Sequence, residues 1–139
     1  MNQPPHHEKI HILALNIVNA VSPDIEWTAY NQIQTICETH EGTTLDHPFQ
    51  WETLADFTNN NPEKAIGLYI KALALAKNSN LIEYIASVNL AIAEQYLELN
   101  EPNKAWEFAN SANVVAKSIS DLALKQEISK ILLKTSKYT

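Results

Sequence analysis

One helical unit occurs twice in this chain. The segment from 60 to 84, NNPEKAIGLYIKALALAKNSNLIEY, returns forty positions later as NEPNKAWEFANSANVVAKSISDLAL. The residues shared at equivalent places are Asn60, Pro62, Lys64, Ala65, Ala72, Ala76 and Lys77, matched by Asn100, Pro102, Lys104, Ala105, Ala112, Ala116 and Lys117. Internal repeats of roughly 20 to 50 residues are typical of stacked helix pairs that offer a surface to a partner. We therefore expect a binding protein, although the sequence does not name its partner.

The composition predicts one all-α domain. The chain has 139 residues, is 45% hydrophobic and contains two glycines and six prolines, which is too few turn residues for an all-β fold. Cys37 is the single cysteine, so an intramolecular disulfide and a Cys-based zinc site are both excluded. The N-terminus lacks a secretory signal pattern, and no apolar run approaches the roughly 20 residues that cross a bilayer. We expect a cytoplasmic protein with no membrane partner.

Negative charge is concentrated in the first half of the chain. Residues 1 to 63 carry nine acids and one lysine, whereas residues 64 to 139 carry nine lysines and seven acids, and the total is -6. This distribution argues against a nucleic acid partner, which requires a basic surface, and predicts attraction for a positively charged protein. The alternative is that the acidic half only keeps the protein in solution.

Apolar spacing and capping residues predict seven helices. Ser22 and Asn61 each precede a proline, a typical helix start, and alanines spaced three, four or seven apart predict a narrow seam for close helix packing. Ala72 and Ala112 lie on this seam and are expected to be buried. The expected helices cover 7–21, 23–40, 48–58, 62–77, 81–99, 102–118 and 120–136.

The paired helices resemble the tetratricopeptide repeat, whose signature places Trp, Leu-Gly and Tyr in its first helix and Ala followed by an aromatic in its second. The residues that carry the resemblance are Trp51, Leu54, Ala55, Ala65 and Tyr69 in one unit and Ile92, Ala93, Tyr96, Ala105 and Ala112 in the next. The sequence departs from the signature at Ala55, which replaces the glycine, at Thr58, Asn89 and Ala109, and in its period of forty. The units would span 48–79 and 81–118, after a degenerate pair over 1–47 and before a capping helix over 120–137.

The resemblance implies antiparallel helix hairpins stacked as a short right-handed solenoid, with no catalysis and no cofactor. It also implies that the first helix of each pair lines a concave groove, where carboxylates would favour a lysine- or arginine-rich ligand. The alternative is that the acidic residues at these positions only make an exposed helix face polar, as on many helices. The implied groove residues are Glu52, Asp56, Ser87, Leu90, Glu94 and Glu98.

Two motifs could carry chemistry. His7, Glu8 and His11 match H-E-x-x-H, in which two histidines hold zinc and the glutamate activates water. Ala14 and Ile17 stand where the metzincin form of the motif has its glycine and third histidine, and Asn31 stands about where another form has a downstream glutamate. Because no third zinc ligand is found, a zinc hydrolase is only a remote alternative.

Cys37 and His40 could form a thiolate pair on one helix, but a small core residue is the expected role of an isolated helical cysteine. The three tryptophans, Trp27, Trp51 and Trp106, are expected in the core or along a seam, and any that is exposed would be an anchor for a partner.

These observations favour a non-enzymatic protein-binding module. The sharpest hypothesis is a small immunity or antitoxin-type protein that binds and neutralises a basic effector through its acidic half. The alternative is an adaptor or chaperone that holds an extended peptide in the groove. The oligomeric state is not predicted.

Overall fold

The computed structural model describes residues 3–136, and within them the secondary structure is entirely helical, as predicted. None of the helices in this part of the chain is both long and apolar enough to cross a bilayer. The seven helices are α1 (His7–Val18), α2 (Pro23–His40), α3 (Pro48–Asp56), α4 (Pro62–Asn78), α5 (Ile82–Glu98), α6 (Pro102–Ala116) and α7 (Leu122–Thr135).

Helices that follow each other in sequence pack together. Contacts join α1 to α2, α3 to α4, α4 to α5, α5 to α6 and α6 to α7. Additional contacts join α1 to α3, α3 to α5 and α5 to α7, so the first helices of successive pairs are also neighbours. This is the packing expected of a stack of helix pairs in which each pair touches the next. The right-handed twist of the stack stays a prediction.

Local side-chain chemistry sets where helices start. Proline stands in the first turn of α2, α3, α4 and α6, where its missing N–H costs no hydrogen bond. The Ser22 hydroxyl accepts from the Ile25 N–H at 3.3 Å, and the Asn61 side chain accepts from the Lys64 N–H at 3.2 Å. These two predicted start signals are therefore confirmed.

The turns after α4 and α5 are built alike. Asn80 and Asn100 both have left-handed backbone angles, with φ of 54° and 58°. Beyond them, the N–H of Leu81 donates to the carbonyl of Ala76 at 2.8 Å, and the N–H of Glu101 donates to the carbonyl of Tyr96 at 2.9 Å. This pattern gives hydrogen-bond donors to carbonyl groups that have no partner at the end of a helix. Asparagine tolerates the left-handed angle better than most residues.

The core consists of two clusters of buried residues. One spans α1 to α5 and includes Ile33, Trp51 and Ala72, and the other joins α5, α6 and α7 around Ala112 and Ile128. Phe108 packs against both clusters. Ala72 and Ala112 have no exposed surface, which confirms the predicted seam.

The N-terminal pair differs most from the prediction. Helix α1 ends at Val18 instead of Val21, because the N–H of Asn19 closes the last turn on Leu15 and the chain must then reach the Ser22 cap. Val18 and Val21 are 68% and 90% exposed, so they do not belong to the buried face. Trp27 is 64% exposed and lies outside the core, contrary to its expected role. The apolar pattern overestimated burial here because no further helix pair covers this end within residues 3–136.

Helices α3 and α7 are also shorter than expected. Helix α3 ends at Asp56, two residues before Thr58, whose hydroxyl bonds back to the Leu54 carbonyl at 2.7 Å. Helix α7 begins at Leu122 because the Asp121 side chain accepts from the Leu124 N–H at 3.0 Å and caps the helix. Such a cap requires its own residue to stay outside the helix.

Candidate functional site

The predicted groove residues lie on two helices that touch. Glu52 and Asp56 are one turn apart on α3, and Ser87 and Glu94 lie on α5, which contacts α3. The carboxylates of Glu52, Asp56 and Glu94 are close enough that Asp56 perturbs the ionisation of both glutamates. We call the surface formed by Glu52, Asp56 and Glu94 the acidic face.

Glu52 is held between the two helices. The Ser87 hydroxyl donates a hydrogen bond of 2.7 Å to Oε2 of Glu52, which ties α5 to α3. Burial raises the pKa of Glu52 to about 7, the bond from Ser87 opposes this rise, and the nearby charge of Asp56 adds to it. Glu52 therefore changes its charge near neutral pH.

Asp56 is fixed by a tyrosine from the second helix of the same pair. The Tyr69 hydroxyl donates a short hydrogen bond to Oδ1 of Asp56, and the Tyr69 side chain is only 3% exposed. Burial raises the pKa of Asp56, and the bond from Tyr69 opposes the rise. Burial and the charge of Asp56 raise the pKa of Tyr69, so the phenol keeps its proton and remains a donor.

Glu94 lies near an acidic residue of the last helix. Burial raises the pKa of Glu94, and the charges of Glu127 on α7 and of Asp56 on α3 raise it further. Glu127 forms a 3.0 Å ion pair with Lys130 on its own helix. Among the described residues, none of the three carboxylates of the acidic face has a lysine or histidine within ion-pair distance. The face therefore holds several acidic groups without a cation of its own.

The remaining two predicted groove residues, Leu90 and Glu98, differ in their exposure. Leu90 is 8% exposed and packs in the second core cluster with Ala93 and Ile128, so α7 covers it and its side chain cannot contact a partner. Glu98 is exposed one turn beyond Glu94 on α5. The acidic face thus contains four of the six predicted side chains when Ser87 is counted as the positioning group of Glu52.

Three neighbours of the acidic face were not identified from the sequence. Tyr69 was assigned only to the repeat signature, and the apolar pattern that buries a tyrosine ring does not reveal where its hydroxyl points. Tyr84 lies near Glu52, and its pKa is raised first by burial and then by Glu52 and Glu83. Glu127 lies on α7, which was expected only to cap the stack. If α7 is taken as the first helix of a further pair, Glu127 falls on the helix that would line the groove.

The H-E-x-x-H motif does not form a metal centre in the described part of the chain. The rings of His7 and His11 are stacked with centroids 6.2 Å apart, and His7 also stacks on Phe49 at 5.0 Å. Within residues 3–136, no group of three or more histidine, cysteine or acidic side chains is arranged to hold a metal ion. The histidines of the motif instead take part in aromatic packing.

Cys37 is a core residue, as predicted. It has no exposed surface, and its thiol donates to the Gln50 carbonyl at 3.3 Å. Burial raises the pKa of Cys37 to about 12, with Asp46 and Glu38 adding to the rise, so the reactive thiolate is not formed at neutral pH. The His40 ring stacks on His6 with centroids 4.4 Å apart.

Trp51 and Trp106 follow the expected pattern more closely than Trp27. Trp51 is buried, donates from Nε1 to Asp46 at 2.7 Å and carries the Lys71 ammonium 4.6 Å from its ring centroid. Trp106 is partly buried on α6. Trp51 packs in the core cluster that joins α1 to α5, whereas Trp27 lies outside both core clusters.

Comparison of the chain with protein-family models, with curated proteins and with solved structures found no match. The resemblance to the tetratricopeptide repeat therefore stays a prediction about the family. The helical architecture and the geometry of the acidic face are the observations from which a function can be argued.

Proposed function

We propose that this chain is a non-enzymatic protein-binding module that holds a basic segment of another protein on its acidic face. The observation that carries the proposal is the cluster of the half-buried Glu52 with the exposed Asp56 and Glu94, which has no cation at ion-pair distance among residues 3–136. A lysine or arginine side chain that reaches these carboxylates forms charge-assisted hydrogen bonds with them.

The hydrogen bonds within the face support binding rather than catalysis. Ser87 and Tyr69 hold Glu52 and Asp56 in fixed positions before any ligand arrives. Preorganised carboxylates lose little side-chain freedom on binding, which lowers the entropic cost of association. The neighbouring Tyr84 adds a partly buried aromatic ring against which the stem of a basic side chain can pack.

The finer proposal is that the bound protein is a basic effector and that the chain acts as an immunity or antitoxin-type protein. The acidic first half of the chain, with its excess of eight negative charges over residues 1 to 63, supports rapid association with such a partner. An adaptor or chaperone that carries an extended basic peptide would use the same face. The two differ in consequence, since an immunity protein abolishes the activity of its partner and an adaptor preserves it.

The binding step is tested with a synthetic peptide of alternating lysine and alanine, and with a glutamate and alanine peptide as its negative control. Titration calorimetry at low salt should give saturable binding of the lysine peptide alone. The triple variant Glu52→Gln, Asp56→Asn, Glu94→Gln should bind about tenfold more weakly or worse.

The matched control is Glu38→Gln, Glu63→Gln, Glu107→Gln, which removes the same number of carboxyl groups from exposed positions on α2, α4 and α6. If both triple variants lose affinity equally, only net charge matters and the acidic face is not the site. The effector proposal has its own test: the chain should inhibit the product of a neighbouring gene at equal molar ratio, and inhibition that survives the first triple variant would contradict it.

A further inference from the structure

A cavity of about 410 Å³ opens between α2 and the turn that joins α3 to α4. It is separate from the acidic face, and its walls combine the aromatic rings of Trp27, Tyr30 and Phe57 with the opposite charges of Glu26 and Lys64. Pockets for small ligands typically measure about 300 to 1,000 Å³ and join apolar walls to a few polar groups. The volume lies toward the lower end of that range and suits a ligand of the size of a single amino acid.

The aromatic wall of this cavity is rigid on one side and open on the other. The rings of Trp27 and Tyr30 are nearly parallel, with centroids 6.1 Å apart and planes 10° apart. The Tyr30 hydroxyl lies 2.7 Å from the Thr58 hydroxyl, and because Thr58 gives its own proton to the Leu54 carbonyl, Tyr30 is the donor. Tyr30 is thereby fixed, while Trp27 remains 64% exposed and available to a ligand.

The two charges at this cavity are not paired with each other. The Lys64 ammonium lies 5.9 Å from the centroid of the Tyr30 ring, so a cation already occupies that ring. Among the described residues, neither Lys64 nor Glu26 takes part in an ion pair. A ligand that enters along the aromatic wall therefore meets a cation for an anionic group and a carboxylate for an N–H group.

We propose that this cavity binds an aromatic amino-acid residue that bears a free carboxylate. Its ring stacks on Trp27, its carboxylate pairs with Lys64, and its nitrogen donates to Glu26. The same chemistry is presented by a free aromatic amino acid, whose nitrogen is an ammonium, and by the C-terminal residue of a peptide, whose nitrogen is an amide. The opposite charges of Glu26 and Lys64 match either ligand, whereas a purely basic or purely acidic ligand would meet one repulsive group.

The proposal is tested on the full chain with three probes: L-phenylalanine, N-acetyl-L-phenylalanine and N-acetyl-L-phenylalanine amide. Binding is followed by the indole N–H signals of the three tryptophans in a ¹H–¹⁵N correlation spectrum. A probe of this size should bind in roughly the millimolar range and move the Trp27 signal, with those of Trp51 and Trp106 unchanged. The amide lacks the carboxylate and should bind about tenfold more weakly than its parent acid.

The two sources of the ligand are distinguished by the first two probes. Tighter binding of L-phenylalanine assigns the site to a free amino acid, because its nitrogen is a charged ammonium that can pair with Glu26, whereas the acetylated probe has only a neutral amide. Tighter binding of the acetylated form assigns it to a peptide C-terminus.

Variants complete the test. Lys64→Gln should weaken the favoured acid about tenfold, and its control, Lys77→Gln at the other end of α4, should not. Trp27→Ala, followed by calorimetry, should abolish binding; because this side chain is exposed, the variant is expected to fold. Equal binding of the acid and its amide, or no saturation by any probe up to about 10 mM, overturns the proposal.

Discussion

The two repeat units share an alanine seam but place different groups beside it. In the first unit, Tyr69 on α4 reaches across to Asp56 on α3 and holds a carboxylate of the acidic face. In the second unit the equivalent position is Ala109, which is fully buried among Ala112 and Ile128 in the second core cluster. The second helix of one unit therefore holds a charged side chain of the acidic face, whereas the second helix of the other packs into an apolar core.

The difference has an energetic consequence. The acidic groups of the first unit are stabilised by hydroxyl donors from Ser87 and Tyr69 instead of by cations. Hydroxyl donors compensate only part of the desolvation of a carboxylate, as the raised pKa values of Glu52 and Asp56 indicate. We infer that the protein loses stability when Glu52 and Asp56 ionise, and that a bound cation would offset this loss.

The largest expected effect is on the pH dependence of stability. The pKa of Glu52 rises from its ordinary 4.5 to about 7 in the folded protein, so the folded state binds this proton more tightly than the unfolded state. The contribution to the free energy of unfolding is full below about pH 4.5 and is lost as the pH rises through 7, and it amounts to about 3 kcal/mol at most. Glu52→Gln should therefore stabilise the protein at pH 8 by up to this amount and change little at pH 4.

Urea denaturation followed by circular dichroism at several pH values checks this expectation. Glu107→Gln, an exposed position on α6, is the matched control in the second unit. If the stability of both variants falls with rising pH as much as that of the unmodified protein, ionisation of Glu52 does not lower the free energy of unfolding.

Next in size is overpacking of the shared seam. Ala72→Leu and Ala112→Leu should each lower the free energy of unfolding by about 1 to 3 kcal/mol, because neither alanine has exposed surface into which a larger side chain could move. Ala74→Leu, on the exposed face of α4, should change it by less than about 0.5 kcal/mol. Thermal or chemical denaturation gives these values. A large difference between Ala72→Leu and Ala112→Leu would show that the seams of the two units are not equivalent.

The sequence predicted the parts of this comparison that depend on periodicity. Alanine spacing identified the buried seam at Ala72 and Ala112, and proline with Ser22 or Asn61 identified helix starts, because both signals are local. The placement of Leu90 and Glu127 could not be derived in this way. It depends on where α7 docks on α5, a contact between helices far apart in sequence.

The exposure of side chains at the N-terminal end was missed for a related reason. Helical spacing indicates which residues share a face but not whether a neighbouring helix covers it. Val18 and Trp27 lie on apolar stretches, yet both are more than half exposed. The hydrogen bond from Tyr69 to Asp56 was likewise hidden, since a single buried tyrosine is compatible with many partners for its hydroxyl.

The smallest expected effect isolates that hydroxyl. Tyr69→Phe keeps the buried ring and removes the donor to Asp56, which should cost about 1 to 2 kcal/mol. The bond opposes the rise in the pKa of Asp56, so its removal should raise that pKa further and make the loss of stability greater at pH 8 than at pH 4. The control is Tyr96→Phe in the second unit, whose ring stacks on Phe108 and whose hydroxyl has no hydrogen-bond partner among residues 3–136.

Urea denaturation of both tyrosine variants at pH 4 and pH 8 makes the comparison direct. A loss at Tyr69→Phe that is equal at the two pH values would mean that the hydroxyl contributes to packing and not to the ionised carboxylate. If Tyr69→Phe loses more stability at pH 8 than at pH 4 and Tyr96→Phe loses none, the Tyr69 hydroxyl stabilises the ionised carboxylate of Asp56. Ala109, at the equivalent position of the second unit, has no such hydroxyl. In that case one side chain distinguishes the two units, because the first holds a carboxylate at the repeat position where the second holds an apolar methyl group.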